Sequence, residues 1–326
     1  MEDILVLRIY KTFIGIFGIL GNGLVCVVIG KVSAMQTRTN AFIFHQAVVD
    51  FLGSTIILLT SEVPLPDPLP DDSLGRFICL VWLSNFLLFV LFVISTFNLL
   101  SLTLERYFAI VYPFKYQAAF AEHPHLKIGA VIGACWIIGV VIKVYNLIIF
   151  KVEDGRCLSN AAARSQAVGI LTVVLVYFLP VGVMFFAYMR ISLELKRGAS
   201  RVGPQPAVAA PASASGPSTS GGAGASSSTE SGMMGSLLRA RRNTFKTLLI
   251  VFITFMVCWT PNQLIFFMFN LGWKTQPNEW YYLLSVAMVA TNCCVNPVIY
   301  AFKYRQFRNG LKEMFCGQKF RADDMA

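Results

Sequence analysis

Seven long apolar runs, separated by polar or charged stretches, set the pattern of this chain. They cover Thr12 to Gly30, Ala41 to Ser61, Phe77 to Leu104, Ile128 to Phe150, Ala167 to Met189, Thr247 to Trp273 and Trp280 to Phe302. A helix needs about 20 apolar residues to cross a bilayer, and each run has that length. The third run carries no charged residue at all. Between runs two and three, Pro64, Pro66, Pro68 and Pro70 cannot continue a helix and predict a loop. From Gly198 to Gly235 the chain is almost wholly Gly, Ala, Ser, Pro and Thr. Such a stretch cannot bury apolar surface and is predicted to be disordered. After the seventh run, Phe307, Leu311, Met314 and Phe315 recur at helical spacing, with Arg305, Arg308 and Lys312 among them. That pattern predicts an amphipathic helix lying on a membrane surface. The predicted fold is an all-α membrane protein, a seven-transmembrane helix bundle plus a short amphipathic cytoplasmic helix. Helices one to five fall in 1–197, the disordered loop in 198–236, helices six and seven in 237–302, and the amphipathic helix and tail in 303–326.

Composition supports the membrane reading. The chain is 56% hydrophobic and 13% charged, and a soluble domain carries about 25% charged residues. The net charge of +10 is unevenly placed. Most Lys and Arg flank the same ends of the runs, at Lys31, Arg38, Arg190 to Arg201, Arg239 to Lys246 and Lys303 to Arg321. The positive-inside rule puts those ends in the cytoplasm, the N-terminus outside and the C-terminus inside. This accounts for the basic balance without nucleic acid as a partner. The opening residues are acidic and are followed by no small-residue cleavage site, so they do not read as a cleavable signal. The 8 cysteines lie mostly in apolar runs, which argues against a disulfide framework or a zinc site. Cys79, at the outer end of the third run, and Cys157, in an outer loop, are the natural disulfide in an oxidising compartment.

The polar residues inside the runs carry the chemistry. Asn22 needs hydrogen-bond partners and should face the bundle. Asp50 sits near mid-bilayer, where a carboxylate costs a few kcal/mol, so it should face a polar cavity or a cation. Glu105 and Arg106 stand side by side where the third run ends. Alone, that pair reads as a flank anchoring a helix end. Pro261 and Pro297 interrupt the last two runs and should kink them.

Together these marks resemble the rhodopsin-like (class A) G-protein-coupled receptors over nearly the whole chain. The marks are Gly21-Asn22, Asp50, Glu105-Arg106-Tyr107, Trp136, Pro180 with Tyr188, Cys258-Trp259-Thr260-Pro261, and Asn296-Pro297-Val298-Ile299-Tyr300. The resemblance implies an activation switch. Glu105 would hold Arg106 in the silent state, and helix six would swing outward about Pro261. Tyr188 and Tyr300 would then support the freed arginine. Trp259 would sense ligand, and Phe255 would pack with Pro180 and Thr96. Arg106 and Phe114 would contact a heterotrimeric G protein, with arrestin a further cytoplasmic partner. Asp50, Ser95, Asn292 and Asn296 would hold an allosteric sodium ion. Cys316 would take a lipid chain, beside the membrane lipids that the basic segments attract. Several positions depart from the family. Glu105 replaces the commoner Asp, His45 stands where an amide is usual, and Thr96 is smaller than its counterpart. Cys79 lies about two residues farther from Arg106, roughly 3 Å along a helix.

The same resemblance narrows the ligand. The family's amine-binding acid is Leu88 here and its retinal-bearing lysine is Ala290, so amines and retinal are excluded. The implied pocket wall is Asn85, Leu88, Phe89, Phe92, Asn262, Gln263, Phe266 and Phe267, aromatic and amide-rich without a charge. Glu62, Asp67, Asp71, Asp72, Glu153 and Asp154 stand at its mouth, with Lys11 and Lys143. The run Trp259-Thr260-Pro261-Asn262-Gln263 resembles peptide receptors of the somatostatin and galanin group. The expectation is a plasma-membrane receptor for a short extracellular peptide, needing no cofactor. A receptor for a lipid or other small molecule is an alternative. So is an ion-conducting or transporting seven-helix protein, although no repeat relates the two halves. An enzyme is not expected, since the runs hold no His/Asp cluster.

Overall fold

The computed structural model describes residues 2–159, 165–201, 225–273 and 279–317. In chain order the helices are α1 (Glu2–Lys31), α2 (Arg38–Glu62), α3 (Ser73–Phe77), α4 (Phe86–Val111), α5 (Pro113–Ala119), α6 (Pro124–Lys143) and α7 (Asn146–Ile149). A hairpin of β1 (Phe150–Glu153) and β2 (Arg156–Ser159) follows. Then come α8 (Gln166–Val173), α9 (Leu179–Arg201), α10 (Ala225–Asn270), α11 (Trp280–Lys303) and α12 (Arg305–Cys316). Among the described residues, 7 helical segments are long and apolar enough to cross a membrane: Leu5–Lys31, Arg38–Glu62, Ser73–Val111, Pro124–Ile149, Gln166–Gly198, Arg242–Asn270 and Trp280–Lys303. They match the seven predicted runs.

Local sequence explains where the helices begin. The Thr37 side chain accepts a bond from the Asn40 backbone N–H at 3.3 Å and caps α2. Pro113 and Pro124 open α5 and α6, where a missing N–H costs nothing. α9 runs to Arg201 and α10 begins at Ala225, so helix reaches from both sides into the segment expected as a loop. Ala225, Met233 and Met234 of that segment are good helix formers, and a helix already nucleated in the bundle can extend through the serines and glycines between them. The rest of that segment, 202–224, lies outside the described residues.

The third span is not one regular helix. A π-helical turn, Ile78–Leu83, follows α3, and Asn85 then takes a left-handed conformation (φ 55°, ψ 28°) before α4. The extra residues between Cys79 and Arg106 are absorbed in this break. Cys79 and Cys157 consequently form the expected disulfide, with Cα atoms 5.3 Å apart. The hairpin presents Cys157 opposite Val152. Its two turn residues, Asp154 (φ 49°) and Gly155 (φ 68°), are both left-handed, as a tight two-residue hairpin requires. In the fifth span a second π turn, Val174–Phe178, precedes Pro180, which has no N–H to continue the regular ladder.

Spans one and seven dock through their motifs. Pro297 cannot donate to the Cys293 carbonyl, and the Asn22 Nδ2 donates to that oxygen instead, at 2.7 Å. Any Cβ at Gly21 would lie 3.0 Å from the Pro297 ring, so glycine permits the approach. The core is a continuous apolar cluster through the bundle interior, including Val25, Leu102, Ile191, Phe255 and Tyr300. The outward faces carry exposed apolar residues such as Phe17, Leu20, Val141 and Phe185, which suits lipid rather than water. α12 buries Phe307 and packs Leu311 and Met314 against the core cluster, leaving Phe315 71% exposed.

Candidate functional site

At the end of the bundle opposite the disulfide, Glu105 and Arg106 form a two-pronged ion pair. The Arg106 Nε and Nη2 each donate to one carboxylate oxygen at 2.5 Å. The Tyr116 hydroxyl of α5 donates to Glu105 Oε1 at 2.5 Å, and the Thr39 hydroxyl of α2 donates to Oε2 at 3.4 Å. Glu105 is 6% exposed. Arg38 braces α5 from outside, its guanidinium 5.4 Å from the Tyr116 ring centroid and 5.2 Å from that of Phe120. A cavity of about 390 Å³ opens here, lined by Arg38, Arg106, Ala109, Ile110, Pro113 and Tyr116. Phe114 stands beside it, 85% exposed. Tyr107 points elsewhere, into a ring cluster with Phe108, Tyr112 and Phe186.

The two tyrosines expected to take part in a switch, Tyr188 and Tyr300, are buried. The Tyr188 hydroxyl donates to the Leu248 carbonyl at 3.1 Å, and its ring stacks on Phe252 at 5.1 Å. Tyr300 lies against Tyr304 and Phe307, and its hydroxyl is a buried polar group without a hydrogen-bond partner among the described residues. Toward the disulfide end, Phe92 meets the Trp259 ring edge-on at 4.9 Å. Trp259 contacts Phe255 at 5.9 Å, and Phe255 contacts Tyr177 at 6.2 Å. This aromatic chain joins spans three, six and five one turn below Pro261. The Trp259 indole N–H is likewise buried and unpartnered among the described residues.

Of the expected pocket wall, the structure brings only part together. Phe92 and Leu88 pack in the central cluster, and Asn262 Nδ2 donates to the Ser285 hydroxyl at 3.2 Å. Gln263 is half-buried, and Phe266 is 37% exposed. Phe267 meets Phe178 of span five edge-on at 5.7 Å. Asn85 forms the break itself. Phe89 is 38% exposed and lies 5.2 Å from the Lys143 amine of span four, so Lys143 covers a ring instead of reaching the mouth. Sequence reasoning missed Tyr177, whose hydroxyl is hydrogen-bonded to Thr260, and Ser285.

The residues expected to hold sodium are arranged differently. Asp50 Oδ1 and Oδ2 accept from Gln46 Nε2 at 3.1 and 3.2 Å, and Oδ2 accepts from Asn296 Nδ2 at 2.9 Å. Ser95 Oγ accepts from the same Gln46 nitrogen at 2.5 Å. Asn292 is buried one turn before Asn296. N–H donors therefore face Asp50 where a hard cation would need oxygen ligands, and the set does not fit a cation. Gln46 was absent from the sequence reading, although it lies one helical turn before Asp50 on the same face. His45 does replace the usual amide: its Nε2 accepts from Trp136 Nε1 at 3.0 Å. Among the described residues no three His, Cys, Asp or Glu side chains group to hold a metal. Cys316 is exposed at the end of α12.

Residues 21–300 match the family model of the 7 transmembrane receptor (rhodopsin family). Similar proteins include the tachykinin-like peptides receptor 99D of Drosophila melanogaster, 25% identical over 90% of this chain and 54% of that protein. The RYamide receptor of the same fly is 24% identical over 92% of this chain and 61% of its own length. Chicken (Gallus gallus) melatonin receptor type 1A is 25% identical over 92% of this chain and 78% of its own. The chain thus spans little more than half the length of the two fly receptors. With the family model covering most of the sequence, and with the clasped arginine, the aromatic chain and the docked proline all in place, the chain belongs to the rhodopsin family of seven-transmembrane receptors.

Proposed function

We propose that this protein is a plasma-membrane receptor that binds a short extracellular peptide and activates a heterotrimeric G protein. The N-terminus and the disulfide end face outward, and the Arg106 end faces the cytoplasm. The observation that carries the reading is the Glu105–Arg106 clasp at the mouth of an open cavity. A ligand lodged above Trp259 would push on the aromatic chain and tilt span six about Pro261. That movement breaks the Tyr188 contact with Leu248 and opens the cleft. Arg106 then exchanges Glu105 for the partner, and Phe114 is free to enter a pocket on the G protein. The buried Tyr300 hydroxyl gains a partner when it turns inward, which relieves a cost of about 1–3 kcal/mol. Arrestin would use the same cleft. Two of the similar receptors are named for peptides. Glu62 and Glu153 are paired with Arg8 and Lys151, and the remaining outer-loop acids, Asp67, Asp71, Asp72 and Asp154, suit a basic peptide. A small-molecule ligand is the second reading, favoured by the melatonin receptor's similarity and the uncharged pocket wall.

The test is guanine-nucleotide exchange on a panel of G proteins, with the receptor reconstituted and challenged with a peptide library and with indoleamines. We expect exchange to rise with a peptide and to vanish in Arg106→Ala. Coupling that persists unaltered in Arg106→Ala would overturn the mechanism. A response to indoleamines alone would install the second reading.

A further inference from the structure

We propose that the carboxamide of Gln46 is a built-in substitute for a cation at Asp50, so that this receptor does not bind sodium there. The argument starts from a continuous line of buried hydrogen bonds. The Trp136 indole can only donate, so His45 Nε2 must accept from it. The neutral ring then carries its proton on Nδ1 and donates to Asn98 Oδ1 at 2.8 Å. That orientation leaves Asn98 Nδ2 to donate to Gln46 Oε1 at 2.9 Å and to the Phe42 carbonyl at 3.0 Å. With its oxygen so engaged, Gln46 can present only its NH2 group to Asp50 and Ser95. Every amide along the line is thereby locked. Flipping Gln46 would set an oxygen against the Asp50 carboxylate and two N–H groups against each other.

The amide nitrogen uses both of its hydrogens, one on Ser95 and one shared between the Asp50 oxygens. Gln46 and Asn98 are 0% exposed, and Ser95 and Asp50 are each 2% exposed. A cation needs those same Asp50 and Ser95 oxygens. To admit one, Gln46 must leave, breaking its bonds to Asp50, Ser95 and Asn98 inside a packed interior. The polar N–H edge supplies the partial positive charge that a buried carboxylate requires, with no ion to lose or gain. The inference goes beyond the proposed signalling role and does not rest on the identity of the ligand.

Sodium itself is the probe. The thermal unfolding midpoint of the purified full-length receptor is measured as sodium chloride replaces choline chloride at constant ionic strength. We expect no shift for the native chain. Gln46→Leu, which removes the amide at similar volume, should gain a saturable upward shift with sodium, and Gln46→Leu combined with Asp50→Asn should lose it. A saturable sodium shift in the native chain that Asp50→Asn abolishes would overturn the proposal. So would a folded Gln46→Leu receptor indifferent to sodium. Should Gln46→Leu fail to fold, 23Na line broadening decides the matter. Equal broadening by the native chain and Asp50→Asn supports the proposal, and excess broadening by the native chain refutes it.

Discussion

At the scale of single residues, the Glu105 carboxylate is saturated. An ionised carboxylate offers about four lone-pair sites, and Arg106, Tyr116 and Thr39 fill them. Bonds to a charged group are worth about 1.5–3 kcal/mol, roughly twice a neutral bond. Tyr116→Phe should therefore loosen the clasp and raise ligand-free nucleotide exchange by about tenfold, since 1.4 kcal/mol is a factor of ten. An unchanged basal rate would remove Tyr116 from the lock. Burial, then the charge of Glu105, raises the pKa of Tyr116 above the ordinary phenol value. The stability tied to that proton is fully present below the unfolded phenol pKa, about 10, and is lost as pH rises through the folded value. Titration of this hydroxyl should leave basal exchange unaffected between pH 6 and 9, because it remains a donor throughout. The Glu105–Arg106 pair was legible because charge at the foot of an apolar run stands out. Tyr116 and Thr39 were not, because they come from a loop helix and another span, 11 and 66 residues from Glu105.

At the scale of elements, the break in the third span decides how the outer end is built. Asn tolerates the left-handed region because its short amide can bond locally, whereas a β-branched residue does not. Asn85→Val should lower the midpoint of thermal unfolding, by the equivalent of about 1–2 kcal/mol. Asn85→Gly should be nearly neutral. Equal loss in both variants would show that the side chain, not the backbone, matters at this position. Apolar periodicity could not reveal the break, since an uncharged run reads the same whether regular or widened by a π turn. The surplus spacing between Cys79 and Arg106 was the one available signal. The hairpin falls in a stretch expected as a loop, although Asp154-Gly155 is itself a strong two-residue turn signal. The fit of Asn22 to the Cys293 carbonyl explains a motif that the sequence only marked. Asn22→Leu should cost about 1 kcal/mol or more, read as a lower unfolding midpoint, because it leaves that carbonyl buried and unpaired.

At the scale of the whole molecule, charge asymmetry and the disulfide both support the orientation proposed above. An epitope tag at the N-terminus should be stained on intact cells, and a tag inserted within 202–224 only after permeabilisation. The reverse staining would invert the assignment. The number of spans, their order and the position of Arg106 at the foot of the third follow from sequence alone. Lipid and water sort residues by transfer free energy, and a helix that satisfies its own backbone is the form an isolated apolar segment takes in a bilayer. Which polar side chains meet inside the bundle was settled by tertiary structure. Asn296 reaches the Asp50 carboxylate from the seventh span, and Ser95 and Asn98 of the third span hold the Gln46 amide against it, which only helix packing arranges. Linear spacing records which face of a helix a residue occupies. It does not record what stands across from it, and the choice between an ion and an amide at Asp50 depends on that neighbour.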